Sequence, residues 1–166
     1  MISLDHRPNL LQRGVKRIVV WRPISALLAP ILHCLDRPVL ERSRGRRSLT
    51  SLLTGLPVVV LTATGAKSGQ PRSVPLLAIP DGTNFVLIAS SFGRSQHPAW
   101  YHNVRAHPQV TLRVGEQEGR YLAQEVAGEE RERLWRLATA RYPGYDAYAR
   151  RAYPRQIPVI LLTPLE

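Results

Sequence analysis

The sequence predicts a mainly β, α+β fold: a six-stranded antiparallel sheet closing into a barrel, with flanking helices. Three observations carry this. Apolar runs of strand length recur from Pro57 onward. Asp81-Gly82 and the pair Gly115/Gly119 stand between neighbouring runs, where hairpins turn. Helix signals interrupt the runs at only two places, after Pro98 and from Gly128.

The chain divides into residues 1–50, basic and partly apolar, and residues 51–166, which hold the strands. The first part carries ten basic and three acidic side chains, so +7 of the net charge of +11 sits there. Ile24, Leu27, Leu28, Ile31, Leu32 and Leu35 recur at helical spacing between basic clusters. The uncharged section Pro23–Leu35 is thirteen residues, short of the roughly 20 a bilayer helix needs. No signal-peptide cleavage site follows it. Two readings fit: an amphipathic helix on an anionic membrane surface, or a helix packed on the chain's own barrel with Pro30 limiting its length. The lone Cys34 reads as a small buried residue and suits a reducing cytoplasm.

The strands follow in order. Val58–Ala63 is continuously apolar, which predicts burial on both faces. Ser73 to Ile79 is the second run, bracketed by Pro75 and Pro80, so its pairing is partial or at an edge. Asp81-Gly82 turns it into the third run, Phe85 to Ser90. Gln109–Val114 and Arg120–Val126 form another hairpin, and Ile157–Thr163 is the last strand. Pro98 suits a first helical turn, and that helix runs to His107 before Pro108. Gly128-Glu129-Glu130 opens the second helix with acids at its positive end; it stops near Tyr142-Pro143. Tyr142, Tyr145 and Tyr148 then repeat every three residues, either as a packing patch with surface hydroxyls or as a pocket lining.

The turn Thr64 to Arg72 concentrates unusual residues. Gly65 and Gly69 permit close backbone approach, and successive N–H groups in such a turn can form an anion cradle. Lys67 and Arg72 put positive charge at its edges, and Ser68 adds a hydroxyl. A solvated basic β-turn has the same composition. A Walker phosphate loop does not fit: Ala66 precedes Lys67, and an apolar strand pattern follows. Rossmann glycine fingerprints, a nucleophile elbow and paired carboxylates are also missing. The five histidines have no metal-ligand spacing, so no metal is expected. Chemistry without an acid, base or metal constellation points to a redox cofactor. Charge alone would also suit nucleic acid, but no reading helix or zinc motif accompanies it.

Leu61 to Arg72, Pro75-Leu76, Ala89-Ser90, and His97-Pro98-Ala99-Trp100-Tyr101-His102-Asn103 together resemble the deazaflavin-dependent nitroreductase and quinone reductase family. The likeness runs from about Leu53 to Pro164 and takes in Tyr142 to Tyr145 and Ile157-Pro158. It implies a split β-barrel of the FMN-binding type and coenzyme F420 as cofactor, in preference to FMN, haem or a lipid. It implies hydride transfer to a quinone, activated alkene or nitroaromatic acceptor.

By position, the resemblance assigns Lys67, Ser68, Arg72 and the backbone of Ala66 to the cofactor's phosphate and glutamyl tail. Ser73, Val74, Pro75, Leu76 and Leu77 would run along the cofactor. Ala89, Ser90 and Ser91 would meet the ring edge, and Ala99, Trp100, Tyr101, His102 and Asn103 the far wall. Tyr145, with Tyr142 and Tyr148, would face the substrate, and Tyr145 and Ser90 would be the catalytic hydroxyls. Ser90-Ser91-Phe92-Gly93 departs from a common Lys-Gly-Gly, and Ala66 from a common Arg. The expected setting is the cytoplasm, peripheral at the inner face of the cell membrane through residues 1–50. The expected partner is the small acceptor, with no nucleic acid, and the chain would act as a monomer or homodimer.

Overall fold

A computed structural model describes residues 56–165. The amphipathic segment, Cys34 and the boundary near residue 50 lie outside the described residues. Seven strands form one antiparallel sheet: β1 (Val58–Thr64), β2 (Pro71–Leu77), β3 (Ile79–Asp81), β4 (Asn84–Ile88), β5 (Gln109–Val114), β6 (Gln117–Glu125) and β7 (Val159–Pro164). Three α-helices accompany them among the described residues: α1 (Ala99–Ala106), α2 (Gly128–Arg141) and α3 (Gly144–Ala152).

The strand order is β2-β1-β5-β6-β7-β4-β3. β2 and β3 are the two edges, yet only Ala78 separates them in the chain. The sheet must therefore curl until its edges meet at Ala78, which is fully buried and whose N–H donates to Pro57 O at 3.1 Å. This corrects the strand count. The single run expected from Ser73 to Ile79 is two strands, because its first part pairs with β1 and Ile79 with β4. The prolines behave as expected, since both halves lie at edges where a missing N–H costs no ladder bond.

Alternation along the strands builds two cores. Val59, Leu61, Ala63, Phe85, Leu87, Val110, Leu112, Ile160 and Leu162 point into the barrel. Val86, Ile88 and Val159 point outward and pack with Leu134 and Ala138 of α2, with Tyr142 after it, and with Tyr145 and Tyr148 of α3. β4 is therefore apolar on both faces because it separates two cores. β1 does not follow the expectation of two buried faces: Val59, Leu61 and Ala63 are buried, while Val58, Val60 and Thr62 are half-buried. α2 contacts β3, β4 and β7, whereas among the described helices the main neighbour of β1 is α1. Each fully buried Leu or Ile here is worth roughly 1.5–3 kcal/mol.

The turns fall close to where the sequence puts them. Asp81 pairs with Asn84 across Gly82-Thr83. β6 begins at Gln117, earlier than expected, so Gly119 lies inside the strand opposite Leu112. α1 starts after Pro98, and α2 ends at Arg141 before Tyr142-Pro143. α3, where the sequence shows only the tyrosine spacing of three, runs for nine residues.

Candidate active site

Four segments distant in sequence meet along one side of the barrel. The first is the basic turn. Gly65 N–H donates to Gln70 O at 2.9 Å, and Gly69 N–H returns to Gly65 O at 2.8 Å. A Cβ on Gly65 would stand 2.5 Å from Ser68 Oγ and 3.1 Å from Gln70 O, so a larger residue there would require Ser68 to turn away and Gln70 to give slightly. Ala66 to Arg72 are all exposed. Neither Lys67 nor Arg72 forms an ion pair among the described residues.

α1 anchors this turn. Asn103 Oδ1 accepts the Ala66 N–H at 3.0 Å, across 37 residues of sequence. The Ala66 amide, expected to face the cofactor, is thus committed within the protein. The five residues assigned to the far wall divide. Trp100 and Tyr101 enter the barrel core, Ala99 and His102 are exposed, and Asn103 holds the turn. Tyr101 donates its hydroxyl to Glu125 Oε2 at 2.8 Å, and burial with that bond raises its pKa.

β2 also divides by face. Register places Arg72, Val74 and Leu76 opposite Ala63, Leu61 and Val59, on the inward face. Val74 and Leu76 pack on the barrel core, with Arg72 exposed at its rim. Ser73, Pro75 and Leu77 face the other way: Ser73 Oγ lies 2.8 Å from Thr62 Oγ1, and Leu77 packs on the helical side.

The third segment, Ala89 to Arg94, is the most constrained. Ser91, Phe92 and Gly93 all have left-handed backbone, at φ of 49°, 55° and 78°. Such geometry costs a non-glycine residue roughly 1–2 kcal/mol. Gly93 is required there, because a Cβ would meet Tyr148 O at 2.8 Å. Ala89 is buried in the barrel core, Ser90 and Ser91 are half-buried, and Phe92 is exposed edge-on to the Tyr148 ring.

Arg155 forms the fourth segment and was not found from sequence. Its Nε donates to Arg94 O at 3.0 Å and its Nη2 to Ser90 O at 2.8 Å. Its Nη1 reaches Ala89 O at 3.3 Å and His97 Nδ1 at 3.2 Å. A guanidinium can only donate, so His97 accepts at Nδ1 and carries its proton on Nε2. Burial, then the Arg155 charge, lowers the His97 pKa, which agrees with a neutral ring. Burial lowers the Arg155 pKa as well.

The tyrosines do not present hydroxyls at the surface. Tyr142, Tyr145 and Tyr148 are buried in the second core, and the hydroxyls of Tyr142 and Tyr148 lie 3.1 Å apart. Tyr145 packs against Trp135, Tyr142 and Tyr148. Burial pushes the phenols of Tyr142 and Tyr145 well above the usual range, so both stay protonated. The structure brings Tyr148 to the Ala89–Arg94 loop through Phe92, while Tyr145 lies enclosed behind it.

The site is thus an exposed basic turn joined through α1 and His97 to a clamped, strained loop. The model of the F420H(2)-dependent quinone reductases matches residues 37–164. The chain belongs to that family. It is an F420-dependent oxidoreductase with a split β-barrel. An F420H(2)-dependent quinone reductase of Mycobacterium tuberculosis is 34% identical over 113 residues, covering 64% of this chain and 73% of its own. A solved F420-H2 dependent reductase (FDR-A) is 41% identical with a TM-score of 0.60, covering 64% of this chain and 94% of its own. A second solved structure, a domain-swapped dimer, is 33% identical with a TM-score of 0.62, covering 81% and 98%.

The family's cofactor fits what the described residues offer. Its tail is a flexible polyanion, and Lys67 and Arg72 are exposed cations with no carboxylate partner among the described residues. Its ring is planar and apolar with polar edges. Val74 and Leu76, half-buried at the edge of the barrel core, supply apolar surface, and the Ala89–Arg94 backbone supplies polar groups.

Proposed function

We propose that this chain reduces a lipophilic quinone, with Lys67, Ser68 and Arg72 holding the cofactor tail and the Ala89–Ser91 loop at the ring edge. The observation that carries the proposal is the pair of exposed cations, without an ion-pair partner among the described residues, on a turn that Asn103 fixes to α1. When bound, reduced F420 supplies a hydride. Val74 and Leu76 would flank the ring, and Trp100 would sit close enough to report its arrival. The protein's task is to hold donor and acceptor in contact and keep water out.

A quinone that accepts a hydride also needs a proton. Ser90 is one of two half-buried hydroxyls on the loop, with Ser91, and would be the donor. Tyr145 stays protonated and enclosed, so it supports the wall behind Tyr148 and Phe92. Activated alkenes and nitroaromatics present the same electrophilic demand and would react in the same place.

Residues 1–50 would bring the chain to the inner face of the membrane, where lipophilic quinones reside. Their +7 charge supports this reading, since each basic residue near an anionic surface adds about 1 kcal/mol. Among the described residues no helix is long and apolar enough to cross a membrane. Removing residues 1–35 should abolish association with anionic liposomes; unchanged association removes the membrane reading. A homodimer is the assembly we favour, supported by the similar structure described as a domain-swapped dimer.

The decisive experiment titrates oxidised F420, with FMN in parallel, against Trp fluorescence in wild type and in Lys67→Ala/Arg72→Ala. Selective quenching by F420 that the double variant loses, together with oxidation of reduced F420 by a quinone, is the expected result. Preference for FMN, or no binding, overturns it.

A further inference from the structure

One side chain, Arg155, controls the backbone of the loop proposed to meet the ring. Its guanidinium donates to the carbonyls of Ala89, Ser90 and Arg94 and to His97 Nδ1. These acceptors lie 58 to 66 residues away in sequence, so no local preference creates the arrangement. Ser90 O also accepts the Gly93 N–H at 2.9 Å, which uses both of its lone pairs. The loop needs such a clamp, because Ser91 and Phe92 hold left-handed backbone that neither residue type favours.

The clamp has a chemical consequence. A cation on a peptide carbonyl draws electron density from that amide and strengthens its own N–H as a donor. The Ser90 carbonyl shares its peptide with the Ser91 N–H. The Ser91 and Phe92 amides open the short helical turn Ser91–Gly93 and donate to no acceptor among the described residues. Ser90 in right-handed and Ser91 in left-handed geometry form the alternation that gathers successive amides into an anion-binding nest.

We propose that Arg155 is a positioning residue of the active site. It holds Ala89–Arg94 so that the Ser91 and Phe92 amides face an electron-rich oxygen, and it fixes His97 as the neutral Nε2–H tautomer. The oxygen belongs to the cofactor ring or to the quinone. This rests on the proposed placement of Ala89–Ser91 at the ring.

The test uses the full chain with Arg155→Lys, which keeps the charge but loses the fork, and Arg155→Ala. Arg155→Lys should lose tenfold or more in kcat or in F420 affinity, and which of the two falls separates the two sources of the oxygen. A loss of affinity assigns it to the cofactor; a loss of kcat at unchanged affinity assigns it to the quinone. Millimolar guanidinium should restore part of the lost activity of Arg155→Ala, whereas ammonium should not. Independently of activity, the His97 ring 15N shifts should show one neutral Nε2–H tautomer in wild type and a mixture in Arg155→Lys. Wild-type kcat, affinity and tautomer in Arg155→Lys overturn the proposal. Should both variants unfold, an Nδ1–H or cationic His97 near neutral pH in wild type overturns it alone. Wild type that binds no F420 removes the proposed function instead, and leaves the tautomer measurement to judge the clamp.

Discussion

The basic turn and the Ala89–Arg94 loop form two sides of the proposed site, and they are built in opposite ways. The turn takes its left-handed position with a glycine, Gly69, and has internal backbone bonds and exposed charged side chains. The loop has three successive left-handed residues, little charge of its own and a guanidinium bonded to three of its carbonyls. A flexible polyanion can be caught by mobile charges whose exact placement matters little. A planar ring must be met at a fixed edge, and there the backbone is made rigid at a cost in local strain.

Substitutions can break this contrast, and the largest effect should come from the rigid side. Gly93→Ala adds a Cβ 2.8 Å from Tyr148 O at a left-handed position, so it should destabilise the fold by about 3 kcal/mol in urea unfolding. An unchanged midpoint would show the loop to be as adaptable as the turn. On the mobile side, Lys67→Ala/Arg72→Ala should weaken F420 binding roughly ten- to hundredfold, with added salt narrowing the gap, while the melting temperature stays near wild type. Asn103→Ala frees the Ala66 amide and loosens the turn from α1; a smaller loss, roughly three- to tenfold in F420 affinity, is expected by the same titration.

Acid should act on the rigid side alone. His97 has its pKa lowered in the fold, so between that value and the ordinary 6.5 the unfolded chain binds the proton and the folded chain does not. Stability from this group is complete above 6.5 and declines as pH falls through the window. Protonation also ends its acceptance from Arg155. Thermal melts from pH 7.5 to 5.5 should show a decline that His97→Asn reduces. The smallest effect is favourable: Phe92→Gly relieves a left-handed non-glycine residue and should raise stability by about 0.5–1 kcal/mol, readable in urea. A loss there would mean that the edge contact of Phe92 with Tyr148 outweighs the strain.

Much of the scaffold was legible because its signals are local. Asp81-Gly82, Pro98 before α1 and Glu129-Glu130 opening α2 act within a few residues of themselves. The basic turn stood out because glycine and lysine are informative residue types in any context. Three features were hidden for a common reason. The edge change at Ala78 is decided by which partner each half of one apolar run finds. Arg155 binds backbone carbonyls, which every residue has, so no partner side chain marks it in the sequence. Ser91 and Phe92 give no sign of positive φ, because neither residue type favours it. The tyrosine triplet was visible, but a spacing of three shows that a helix face is shared and not whether a second helix covers it. Here α2 does, through Leu134, Trp135 and Ala138.

The pairing of β4 with β7 also shapes how the chain must be made. Phe85 finds Leu162 only after 77 more residues have left the ribosome. Until then the β3–β4 hairpin can form, but Phe85, Val86, Leu87 and Ile88 have no β7 beside them and no finished core on either side. A two-stranded hairpin alone is marginal in water, and an uncovered apolar edge readily pairs with a neighbouring copy. At 5–20 residues per second that interval lasts roughly 4–15 s. During it, nascent chains are most vulnerable to one another, and holdase chaperones should matter most to yield.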